Sequence, residues 1–168
     1  MSTNRPSLRR RAATLLVASL AALGLTLGLA GPALAVSHSS AASQLAAAGI
    51  ARYSSGNCSD RNVATCTSLE GVRQATIDGI ITFKRASGCA VTVTGGTETG
   101  HSGGTYSHWN GYKLDIAMST CIQNYVSAAY TYVGYISGFG YQYRAGSGNL
   151  YTREGNHWDI LFYSCGGC

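Results

Sequence analysis

Six cysteines, Cys58, Cys66, Cys89, Cys121, Cys165 and Cys168, all follow a segment built like an export signal, and this combination constrains the chain most. Met1–Arg11 is positively charged, Ala12–Ala30 is an uncharged Leu/Ala/Val run, and Gly31 and Pro32 break it. Ala33-Leu34-Ala35 then fits the small-x-small rule of signal cleavage. A membrane anchor is the competing reading, because the run approaches the ~18–20 apolar residues that span a bilayer. The break and the cleavage box favour removal, with Val36 as first mature residue and no membrane contact afterwards. An exported chain meets oxidising conditions, so an even cysteine count implies disulfides. Six cysteines allow fifteen pairings. Local closure favours Cys58–Cys66, Cys89–Cys121 and Cys165–Cys168. Cys165-x-x-Cys168 also has the spacing of a redox or zinc pair, but no second such pair completes a zinc site.

Charge removes two function classes. Four of the twelve Lys and Arg side chains, Arg5, Arg9, Arg10 and Arg11, lie in the leader, leaving eight bases against seven acids. A near-neutral folded part lacks the basic patch of a nucleic-acid binder or of a charge-driven membrane-surface protein. With 45% apolar and 11% charged residues, the bulk of the chain can bury a core. The expected organisation is a signal at 1–35, a Ser/Ala-rich segment with a short helix at 36–66, and one folded domain at 67–168.

Periodicity gives the elements. Gln44–Ile50 reads as a short helix and the rest of Val36–Asn57 as a leader. Thr67-Ser68-Leu69-Glu70 matches a capping box, and apolar residues at Leu69, Val72, Ile77, Ile80 and Ile81 extend an amphipathic helix over Ser68–Lys84. Ala90–Thr94 and Leu114–Met118 read as strands, Gly95–Gly111 as a shaped loop, and Thr120–Val133 as a helix. Tyr141–Arg144, Leu150–Thr152 and Asn156–Tyr163 read as strands joined by Gly-rich turns. The order implies a small α+β domain with a central, largely antiparallel sheet and flanking helices.

The residues able to do chemistry gather in two stretches. His108 and Asp115 bracket a Gly turn leading from the loop into a strand, a bend that can bring both to one metal. On the last strand, His157, Asp159 and Leu161 share one face, while Trp158, Ile160 and Phe162 face the core. His108, Asp115 and His157 would give zinc three protein ligands and leave a fourth position for water. Zn²⁺ lowers that water's pKa toward ~7, and a nearby base completes the chemistry. Glu154, three residues before His157, is the candidate. His101, in the Gly-rich loop, is a candidate to stabilise a substrate oxyanion or orient a ligand, against the plainer reading of a loop hydrogen bond. Asp159 is a candidate to orient a ligating His from behind. Tyr106 and Tyr112 flank His108 and are placed to line a cleft, while most tyrosines are expected to pack the sheet.

His108-x-x-Gly111-x-Lys113-x-Asp115 resembles the His-x-x-Gly-x-Ala-x-Asp motif of the D-alanyl-D-alanine carboxypeptidase and dipeptidase family of zinc peptidases, which is grouped with lysostaphin-type peptidases and the hedgehog signalling domain. Glu154-x-x-His157 resembles that family's Glu-x-x-His. The likeness spans about Val91–Phe162. It implies His108, Asp115 and His157 as zinc ligands, Glu154 as base, and short peptides of bacterial cell-wall peptidoglycan as substrates. Three positions depart from the pattern. Lys113 stands for a small residue, Asn156 for a Trp, and Glu98 lies about where the family carries a substrate-holding Arg. The expectation is a secreted or wall-associated, monomeric zinc peptidase. The alternative is a non-catalytic, zinc-containing module of the same fold that binds peptide or cell wall.

Overall fold

Alternating apolar and polar residues build the sheet, and the sheet places the site. The computed structural model describes Met1 and residues 35–167, so residues 2–34 of the expected signal and Cys168 lie outside it. Seven strands form the main sheet: β2 (Ala51–Arg52), β4 (Thr92–Gly95), β5 (Lys113–Ala117), β6 (Thr131–Ile136), β7 (Gly140–Arg144), β8 (Leu150–Glu154) and β9 (His157–Leu161). Their spatial order is β2-β4-β5-β9-β8-β7-β6, antiparallel except for the parallel β2–β4 pair. Two short strands, β1 (Ala35–Val36) and β3 (Val72–Arg73), pair separately. The α+β class and the largely antiparallel sheet are as the sequence implies.

Three helices, α1 (His38–Ala47), α2 (Gln74–Ser87) and α3 (Thr120–Ala129), complete the described structure. They contribute Leu45, Ile77, Ile80, Phe83, Ile122 and Val126 to the core; the sheet contributes Val93, Leu114, Ile116, Trp158 and Ile160. All eleven are nearly or fully buried. Because strand side chains alternate, burying Leu114, Ile116, Trp158 and Ile160 sends Lys113, Asp115, His157 and Asp159 to the opposite face. No helix among the described residues is long and apolar enough to cross a membrane.

Four local expectations need correction. The Ser/Ala-rich segment is part of the domain: Ala41, Leu45 and Ile50 lie in the common core, and β2 is an edge strand of the sheet. Ala41 and Leu45, four apart, fall on one helix face and bury together. Thr67 and Glu70 do not cap α2, which starts at Gln74 after Arg73, an N-cap with no side-chain bond. Instead Thr67 Oγ1 donates to the Tyr53 and Thr94 carbonyls at 2.8 and 3.0 Å, and Glu70 Oε2 accepts from the His38 amide at 2.8 Å. These tertiary contacts, and the β1–β3 pairing, outweigh the local capping signal. The α3 helix stops at Ala129, because the β-branched and aromatic run Thr131-Tyr132-Val133 pairs with β7. Finally, Tyr132, Tyr135 and Tyr141 on β6 and β7 are exposed, their rings meeting one another rather than the core.

Two of the expected disulfides are present, Cys58–Cys66 and Cys89–Cys121. They suit an oxidising compartment. Cys165 is not free, and its expected partner, Cys168, is outside the described residues. Cys89–Cys121 ties the end of α2 to the start of α3 across a separation of 32 residues. A loop of that length stabilises by about 3–4 kcal/mol in the chain-entropy account. Replacing both cysteines by Ser is therefore expected to lower unfolding stability by about that amount, read from urea melts of the two proteins.

Candidate metal centre

Register brings the chemistry-bearing residues together. Asp115 on β5 stands opposite Asp159 on β9, and Ala117 stands opposite His157. On the other side of β9, Glu154 of β8 stands opposite His157 and Thr152 opposite Asp159. Asp115, Asp159, His157 and Glu154 therefore occupy neighbouring positions on one face. The Gly-rich loop between β4 and β5 folds over that face, bringing Glu98, His101 and His108. It buries Asp115, Asp159, His108 and Glu98 to under a tenth of their free exposure. The cleft left open has a volume of about 230 Å³, and His101, His108, Asp115, Glu154, His157 and Asp159 all line it, with Lys113 and Phe139.

A tight turn aims His108. The Gly111 amide donates to the His108 carbonyl at 2.8 Å and the Tyr112 amide to the Ser107 carbonyl at 3.1 Å. Gly111 has φ +74°, and a Cβ there would crowd the backbone of Gly71–Arg73. The ring's Nδ1 lies 2.7 Å from the Gly96 carbonyl, which can only accept, so Nδ1 carries a hydrogen. The other nitrogen, Nε2, points at two carboxylates, Asp115 Oδ1 at 3.2 Å and Asp159 Oδ2 at 3.3 Å. Burial opposes charge on this ring, but its contacts with Asp115 and Asp159 outweigh that and push its pKa up to about 10. The same contact, with Lys113 Nζ 2.8 Å away, holds Asp159 below the usual carboxylate range against its burial.

Asp115 is the hub. Its Oδ1 is buried and has no hydrogen-bond partner. That atom lies 3.2 Å from His108 Nε2 and 3.7 Å from His157 Nε2, while Oδ2 lies 3.8 Å from His101 Nδ1. Gly95 makes room for it, since a Cβ there would collide with Oδ2. His157 Nδ1 faces Asn156 Oδ1 at 3.1 Å, which turns its Nε2 toward Asp115 and toward Glu154 Oε2, 3.7 Å away. Asn156, a departure from the resembled motif, thus orients the ring. Burial, then the neighbouring Asp159, raise the pKa of Glu154.

His101, His108 and Asp115 each offer a ligand atom within 4.8 Å of the others, a group that could hold a metal ion. The donors suit a divalent cation of the imidazole- and carboxylate-loving kind. Two donors on one zinc at bonds of ~2.0–2.1 Å sit about 3.3 Å apart, close to the separations around Asp115. Asp115 Oδ1 meets no hydrogen-bond partner; in the metal-free protein the His108 ring 3.2 Å away offsets its charge, and a metal cation would take that place.

The structure gathers the expected metal-site residues around one cleft, with one change of position. His101 makes the plainer loop hydrogen bond, to Glu98, and also lies against Asp115 and His108. Asp159 faces Nε2 of His108, the nitrogen turned to the cleft, rather than supporting Nδ1 from behind; the Gly96 carbonyl does that. Tyr106 and Tyr112 pack on each other, with ring centroids 5.0 Å apart, and do not line the cleft. Trp109 stacks under Arg61, and Trp158 is core. Glu98, noted in the sequence only as a departure, supports His101: Oε1 lies 3.1 Å from His101 Nε2. The spacing Glu98-x-x-His101 was the available signal.

One consequence concerns pH. His108 titrates at about 10 in the folded, metal-free protein against an ordinary 6.5. A raised folded value stabilises fully below the unfolded pKa and is lost as pH rises through the folded one. Metal-free protein is thus expected to lose stability steadily between pH 6.5 and 10, seen as falling urea midpoints. A flat profile over that window would contradict the charged contact.

No protein-family model matches the chain, and comparisons with curated proteins and with solved structures return no match. The residues themselves must therefore carry the functional reading.

Proposed function

We propose that this chain is an exported zinc-dependent peptidase acting on short peptides of bacterial cell-wall peptidoglycan, with His108, Asp115 and His157 holding the metal. The observation that carries this reading is Asp115 Oδ1, buried and without a hydrogen-bond partner, between the Nε2 atoms of His108 and His157. Glu154 at the edge of the same group, and the resemblance of both stretches to the D-alanyl-D-alanine peptidase motifs, support it. When bound, zinc supplies Lewis acidity toward a substrate carbonyl and lowers the pKa of a water.

The protein's own groups do the rest. Glu154 lines the cleft, and its raised pKa brings it nearer the working pH of a general base. It accepts a proton from the attacking water and returns it to the leaving amine. Lys113 Nζ, 2.8 Å from Asp159, sets an ammonium beside the carboxylates of the cleft. The loop covers Asp115 and His108 and limits water there, which strengthens each electrostatic contact.

One observation favours a second reading, a zinc-containing binding module. Glu98 occupies about the place where the resembled family has Arg, and its carboxylate is buried and already bonded to backbone amides, so it cannot hold substrate. Digestion of a panel of purified muropeptides by zinc-loaded protein separates the two. Release of an amino acid or shortened peptide, detected by mass spectrometry and stopped by chelator, is the expected result. Intact muropeptides in the presence of metal-loaded protein would rule out the peptidase and leave the module.

A further inference from the structure

Distance alone admits His101 beside His108 as a ligand to one ion, but the ring planes speak otherwise. The two imidazoles are stacked, with centroids 3.8 Å apart and planes 16° from parallel. An imidazole lone pair lies in the plane of its ring. Two nearly parallel planes stacked at van der Waals separation do not pass through a common point nearby, so only one of these rings can aim a lone pair at a given ion. His108 is the one whose Nε2 faces Oδ1 of Asp115, the buried oxygen that makes no hydrogen bond. His101 Nδ1 faces the other oxygen, Oδ2, at 3.8 Å.

His101 is nevertheless held with care. Its Nε2 meets Glu98 Oε1 at 3.1 Å. Glu98 is 3% exposed, and backbone amides fix its carboxylate: Ser68 N donates to Oε2 at 2.7 Å, and Gly96 N lies 3.0 and 3.1 Å from the two oxygens. Gly96 is also the residue whose carbonyl holds His108 Nδ1 at 2.7 Å. One buried carboxylate therefore braces both the His101 ring and the backbone that orients His108. The His101 ring also stacks on the face of His108 and approaches Asp115, with the rest of its surface open to the cleft.

We propose that Glu98 and His101 are positioning residues of the metal centre: Glu98 clamps the His101 ring as a wedge that fixes the His108 plane and turns Asp115 so that Oδ1 faces the ion. This inference rests on the metal reading above, and it assigns the wedge a task the sequence does not show. Outer partners of metal ligands are typically worth 10–100-fold in affinity.

The test measures zinc affinity of the purified protein by chelator competition, with the visible spectrum of the cobalt(II)-loaded form as reporter of the ligand set. His101→Ala is expected to weaken zinc binding about 10–100-fold while the cobalt band shape stays that of the wild type. His101→Phe keeps a flat ring against His108 and should recover most of the loss. Glu98→Gln should weaken binding too, and on top of His101→Ala should add only the share that Glu98 exerts through the Gly96 backbone. The His101 variants leave the amide bonds of Glu98 in place, so they remain informative if Glu98→Gln disturbs the loop. If His101→Phe binds as weakly as His101→Ala and both change the cobalt spectrum, His101 is itself a ligand and the wedge is wrong. If wild type and all variants bind zinc equally, the wedge fails while the metal centre stands. A wild type that binds no metal would overturn both.

Discussion

Asp115→Ala is expected to lower zinc affinity by well over the ~100-fold that marks the upper end for outer partners. Asp115 is the residue all three imidazoles approach, at 3.2, 3.7 and 3.8 Å. Removing it leaves His108 Nε2 facing Asp159 alone, and leaves His157 without the oxygen that brings it to the group. The loss should appear as lost ligand stabilisation. A ligand present at 100 times its Kd contributes about 2.7 kcal/mol to folding. Chelator should therefore lower the melting temperature of the wild type and leave that of the variant where it is. Metal-free stability should change less, because the substitution also removes one of two buried carboxylates that face each other across β5 and β9. If chelator destabilises Asp115→Ala as much as the wild type, the ion sits elsewhere.

Glu154→Gln is expected to abolish most hydrolysis while metal is retained. General-base catalysis is typically worth about 10²–10⁴-fold, and Gln cannot accept the proton. Glu154 touches the metal group through one contact, 3.7 Å to His157 Nε2, whereas His108 and Asp115 are anchored by the loop and β5. Zinc stoichiometry should thus match the wild type, with kcat reduced and KM little changed. A variant with near-normal kcat on a muropeptide would remove Glu154 from the chemistry. Loss of zinc together with activity would make it a ligand instead of a base.

The last strand was the most legible part of this protein. In His157-Trp158-Asp159-Ile160 apolar and polar positions alternate, which sets Trp158 and Ile160 on one face even though Asp159 and Leu161 are buried as well. The same holds for Lys113-Leu114-Asp115-Ile116, which sets the face of Asp115, whereas the pairing of β5 with β9 that brings it near His157 is a tertiary fact. The pairing of Cys58 with Cys66 and of Cys89 with Cys121 was legible from chain order alone, each cysteine joining the next one along the sequence. What failed were local signals overruled at long range. Thr67 and Glu70 have the chemistry of a capping box, yet the Tyr53 and Thr94 carbonyls and the His38 amide claim them. Tyr130–Val133 continues a helical pattern, yet β7 offers it a ladder. Glu98 shows why the site was only partly readable. Its spacing to His101 was visible, but the Ser68 amide that fixes its carboxylate lies 30 residues earlier, and nothing in the sequence joins them. Phe139, a wall of the cleft supplied by the β6–β7 turn, is distant in the same way.

The central claim is a metal centre at His108, Asp115 and His157, and its most direct test is metal content. Purified protein, prepared without chelator, is analysed by elemental mass spectrometry beside His108→Ala. About one zinc per chain in the wild type, lost in the variant, is the result the proposed centre of three protein ligands predicts. Wild-type protein that contains no metal and takes up none on dialysis against zinc would contradict it.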